Sequence, residues 1–150
     1  MKKLLVFIVL LQFVGCGSTA SRLNLQESSS AVWEVYEGIL PCADCSEIKT
    51  RLEIFIDNSN AEPPFIIKQA FLGKKEGDKA VIDHGVYEML KGAYLGHDAT
   101  VYGLNPDKPE KKMFFLRVHA DTLRMVDQNL SEIKSDLNYN LVRTETLKER

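Results

Sequence analysis

From Ile48 to Asp57 the side chains alternate: Ile48, Thr50, Leu52, Ile54 and Ile56 share one side, Lys49, Arg51, Glu53 and Asp57 the other, and only Phe55 breaks the pattern. A period of two belongs to a strand with one face in a core and the other in water, and it rules out an amphipathic helix here. Residues 32–40 are of the same kind, rich in β-branched and aromatic side chains, with Trp33, Val35 and Ile39 on one side of the pleat. Between the two strands lies a tight corner, Pro41-Cys42-Ala43-Asp44-Cys45-Ser46, with its cysteines three positions apart.

The remaining chain extends this framework. Strands are expected over residues 65–72, 80–82 and 84–90 (the last two as one strand or two), 100–104, 113–118, 122–126 and 137–142. Gly85 marks a bulge or a close backbone approach. Residues 57–64, with Pro63 and Pro64, and residues 73–78, bounded by Gly73 and Gly77, read as loops. A weak helical pattern occupies 128–135. Seven or eight short strands without a sustained 3.6-residue period predict an all-β antiparallel meander. Closing it into a small barrel removes its edges. The barrel is expected over 32–143, followed by a charged tail at 144–150 that frays.

The start of the chain reads as delivery apparatus. Met1-Lys2-Lys3 is basic and residues 4–11 are apolar, the form of a secretory signal over 1–15. The run falls short of the ~20 residues that cross a bilayer as a helix. Val14-Gly15-Cys16 resembles the bacterial lipobox, which implies a covalent lipid anchor on Cys16 and a membrane contact made through it. Each buried CH₂ contributes ~0.8 kcal/mol, so the three acyl chains of a bacterial lipoprotein anchor it permanently. Gly17 after the anchor favours the outer membrane of the cell envelope, again by resemblance. Residues 16–31 form a polar, flexible tether.

Without Lys2 and Lys3 the 19 basic and 21 acidic side chains become 17 and 21, a formal net charge of −4. That balance gives no footprint for nucleic acid. The sequence holds no nucleophile elbow, no paired-carboxylate motif and no HExxH helix, so an enzyme is not expected.

With Cys16 assigned to lipid, Cys42 and Cys45 remain. A turn of this length brings their Cα atoms within ~7 Å, inside disulfide range. So short a loop is an inefficient staple, worth roughly 2 kcal/mol. Three readings stay open: a disulfide that locks the corner, a redox-responsive pair, or two thiolates for copper(I) or half of a zinc site, with Asp44 adding a carboxylate. Thioredoxin-type exchange needs the motif to open a helix, and here a strand follows. His84, His97, His119, Met89, Met113 and Met125 are each solitary and read as surface or core residues.

Residues 38–45, Gly-Ile-Leu-Pro-Cys-Ala-Asp-Cys, followed by Ile48-Lys49-Thr50-Arg51-Leu52, resemble the signature of the NlpE family, bacterial outer-membrane lipoproteins linked to copper resistance and envelope stress. His84-Gly85-Val86-Tyr87 looks like that family's Gly-x-aromatic strand, and residues 137–141 like its closing strand. Glu47 stands where the family usually has glycine. The resemblance implies a lipocalin-like barrel, with Cys42 and Cys45 as the proposed copper-binding or redox element and an envelope signalling protein as partner. Larger members carry a second β-domain, for which this sequence is too short. The alternative is a carrier barrel for a lipid or small apolar ligand, with a purely structural disulfide. An interior filled by side chains would count against it.

Overall fold

The computed structural model describes residues 31–57, 62–91 and 99–148. The expected signal, the anchor Cys16, nearly all of the tether and His97 lie outside them. Eight strands follow one another: β1 (Val32–Leu40), β2 (Glu47–Ile56), β3 (Pro64–Leu72), β4 (Lys79–Lys91), β5 (Thr100–Leu104), β6 (Met113–His119), β7 (Thr122–Val126) and β8 (Asn140–Lys148). Each pairs antiparallel with the next and β8 returns to β1, so the sheet closes as an all-β meander barrel.

The alternation of β2 sets the inside. Leu52 and Ile54 are fully buried, Thr50 is buried, and Ile48 and Ile56 pack against the same cluster. That cluster joins Tyr36 and Leu40 of β1, Phe65 and Ile67 of β3, Tyr87 of β4, Tyr102 and Leu104 of β5, Phe115 of β6, Leu123 of β7 and Leu141 of β8. The interior is therefore filled by side chains, contrary to what a carrier requires. Trp33, Val35 and Ile39 share the outer side, where Trp33 meets Phe55 with ring centroids 5.3 Å apart. This contact explains the break in the β2 alternation: Phe55 is buried on the outer wall.

Three expectations are corrected, and the choices left open at β4 and Gly85 are decided. Residues 144–148 continue β8 instead of fraying, because β1 needs a closing partner: Val35 pairs with Glu145 and Val32 with Lys148, past a register shift at Val35/Tyr36. Residues 128–135 are not helical; the Asp127 carboxylate takes the backbone N–H groups of Asn129 and Ser131, both at 2.8 Å, and holds the chain in turns. β4 is one strand in continuous register with β3 through Gly85, which marks a close approach and no bulge. A Cβ there would lie 2.7 Å from Asn105 Oδ1 and 3.1 Å from the Phe65 ring. The closing strand also starts later than expected, at Asn140, with the Asn138 side chain receiving the Asn140 N–H at 3.1 Å and reaching Ile39 O at 3.1 Å.

Candidate functional site

The cysteine corner is the β1–β2 connection. Pro41, with no backbone N–H, ends the pairing of β1. Cys42 and Cys45 are joined as a disulfide with Cα atoms 5.3 Å apart. Both cysteines are half-buried and Asp44 is exposed. Glu47 opens β2 opposite Leu72 and is not among the positive-φ residues, so the position needs no glycine in this chain.

The neighbouring β3–β4 turn holds the corner in place. Ser46 donates its backbone N–H to Leu72 O at 2.8 Å. Lys74 Nζ reaches Asp44 Oδ2 at 3.2 Å while sitting 5.1 Å from the centroid of the Phe71 ring. Gly73, at φ 70°, brings the turn so close that a Cβ would run into Ser46 Oγ. Nothing in the sequence singled out Lys74, since a Lys-Lys-Glu turn reads as a solvated loop.

Cys42 Sγ, an Asp44 carboxylate oxygen and Cys45 Sγ all lie within 4.8 Å of one another, and Asp44 Oδ1 is 3.4 Å from Cys42 Sγ. The disulfide has no thiolate to offer, so this donor set fits a soft metal ion only after reduction. Among the described residues no histidine joins the group. Met113 and Met125 pack against the core, and Met89 and His84 lie exposed on β4.

Near the opposite end of β1 is a buried polar cluster that sequence reasoning missed. Glu34 Oε2 accepts hydrogen bonds from Tyr36 Oη at 2.6 Å and Arg117 Nη2 at 2.7 Å, and Oε1 accepts one from Arg143 Nη1 at 2.7 Å. Arg117 also donates to Tyr102 Oη from Nη2 at 2.7 Å and from Nε at 3.0 Å. Burial works to raise the Glu34 carboxyl, but the Tyr36 and Arg117 hydrogen bonds and the Arg117 and Arg143 charges outweigh it. The carboxyl is held below its usual range. Burial, then the bond to Glu34, pushes the Tyr36 phenol up. The one available signal was a carboxylate between Trp33 and Val35, on the same side of the pleat as Tyr36 and Leu40. These groups satisfy one another.

A model of the NlpE N-terminal domain family matches residues 36–136. Lipoprotein NlpE of Escherichia coli (strain K12) is 26% identical over 138 residues, covering 89% of this chain and 52% of that protein. The chain thus spans about half the length of that curated relative. A crystal structure of a candidate lipoprotein from Shewanella oneidensis aligns with a TM-score of 0.51 at 25% identity, covering 73% of this chain and 85% of the other.

Proposed function

Since the chain belongs to the NlpE N-terminal domain family, we propose that it is an envelope lipoprotein, held by lipid on Cys16 at the outer membrane, whose Cys42/Cys45 corner reports copper or redox state to a signalling protein. The observation that carries this reading is the placement of the disulfide: at the surface of a filled barrel, with a carboxylate in the same small sphere. A disulfide whose cysteines are only half-buried, at a surface corner, can be reached by a dithiol. Two electrons and two protons from a dithiol convert it to two thiols, and loss of their protons gives two soft donors. A bound copper(I) ion would supply a soft Lewis acid that holds both thiolates in one arrangement.

The chain's own residues transmit the change. Ser46 and Asp44 tie the corner to Leu72 and Lys74, so any rearrangement of residues 42–45 is felt in the β3–β4 turn. Titrating the reduced, metal-free protein with copper(I) against a competing chelator tests the metal half. Binding is expected in the native sequence and lost in the Cys42→Ser/Cys45→Ser variant. Equal binding by the two would remove copper from the account.

A further inference from the structure

The barrel wall has an open seam. β4 runs for 13 residues but β5 for only five, and their pairing covers Tyr87 to Lys91 alone. Asn105 N–H donates to Val86 O at 3.1 Å from the β5 side, while Tyr87 N–H donates to Pro63 O at 2.9 Å on the β3 side. Strand alternation then turns the main-chain groups of Ala80, Ile82 and His84 toward the seam, as it does those of Val86. The His84 N–H donates to the Asp83 carboxylate at 3.0 Å. The N–H and C=O groups of Ala80 and Ile82 have no hydrogen-bond partner on that side among the described residues.

Unpaired edges are usually blunted by charge or proline, yet Ala80-Val81-Ile82 carries neither. Hollows flank it on both faces. On the inner side a gap of ≈ 320 Å³ is lined by Ile67, Val81 and Met113 and by the charged Asp83, Glu110, Lys111 and Lys112, whose basic groups are paired, Lys111 to Asp83 at 3.5 Å and Lys112 to Glu88 at 3.1 Å. On the outer side a groove of ≈ 670 Å³ runs over Ala70 and Ala80 between Ile39 and Ile82. Ile39, Val81 and Ile82, exposed by 47%, 38% and 66%, are three of the six exposed large apolar side chains among the described residues, so such side chains concentrate at this edge. The basic groups along the groove are already matched: Arg51 to Glu37 at 2.6 Å, Lys68 to Glu53 at 3.0 Å and Lys49 to Glu47 at 3.9 Å. A surface with balanced charge and an apolar floor complements an uncharged segment, and a row of free N–H and C=O groups complements an extended main chain.

We propose that the Ala80–Ile82 edge of β4 binds an extended, uncharged segment of a partner protein by strand addition. Its inward side chains fill the gap between Val81 and Met113, and its outward ones pack beside Ile82. The site goes beyond the corner's chemistry and does not depend on it.

The test is amide hydrogen exchange, read by NMR on the full chain, with a peptide of about eight alternating valine and threonine residues as probe. Without peptide the Ala80 and Ile82 amides are expected to exchange freely while Val81 and Asp83 are protected by β3. With peptide the first two should slow by about tenfold or more. Ile82→Lys, an exposed change that leaves the core intact, should abolish the slowing, and a peptide with proline at alternate positions should give none. The Cys42→Ser/Cys45→Ser variant should still take the peptide, which separates this proposal's failure from that of the corner. No slowing, or slowing that survives Ile82→Lys, would overturn the proposal. Self-association that protects Ala80 and Ile82 without peptide would overturn it too, because a second copy would then occupy the edge.

Discussion

Glu34 Oε2 and Arg117 Nη2 meet at 2.7 Å although 83 residues separate them in the chain, tying the first strand to the sixth across the barrel interior. Arg143 brings in the eighth strand at the same distance. One buried carboxylate thus answers two partly buried guanidinium groups.

A group held below its unfolded-state pKa contributes stability above that unfolded value and loses it as pH falls through the folded one. Stability should therefore fall on the acid side, below the ordinary carboxylate range. Glu34→Gln should flatten that slope and cost ~3 kcal/mol at neutral pH, because it strands two partly buried cations. Urea unfolding of both proteins across the acid range checks it.

Gly85 sits where Asn105, at φ 54°, turns its side chain inward, and Asn105 Oδ1 is buried without a hydrogen-bond partner. Gly85→Ala would drive a methyl group into that oxygen and the Phe65 ring. We expect a loss of about 1–3 kcal/mol in thermal unfolding, with the fold retained.

These two sites show where sequence reading stops. The β2 alternation, the turns at Gly73 and Gly77 and the cysteine corner were legible because local chemistry dictates them: period two, positive φ and a four-residue loop. Glu34, Arg117 and Arg143 lie on three different strands, and only barrel closure brings them together. The extension of β8 through Lys148 was hidden for the same reason, since its charged residues are drawn into the wall by the need of β1 for a partner. At the site itself the spacing brought Cys42, Asp44 and Cys45 together but left a disulfide as one of three open readings, whereas the Lys74 contact depends on two hairpin turns meeting in space.

The Lys74–Asp44 contact is exposed on the aspartate side, so its contribution is small. Lys74→Met should change stability by less than about 1 kcal/mol. Its visible effect should be faster amide exchange in the β3–β4 turn, measured against an unchanged core.

The disulfide closes so short a loop that removing it costs little. Cys42→Ser/Cys45→Ser should lower stability by no more than about 2 kcal/mol, leaving a folded barrel by circular dichroism and a small shift in melting temperature.

Labelling of the native protein with a thiol-specific reagent, before and after mild treatment with a dithiol, tests the central claim most directly. Cys42 and Cys45 should be unreactive before reduction and both modified after it, while the barrel core stays protected from hydrogen exchange. Modification that appears only once the barrel unfolds would contradict the account, for the pair would then be a sealed staple instead of an accessible switch.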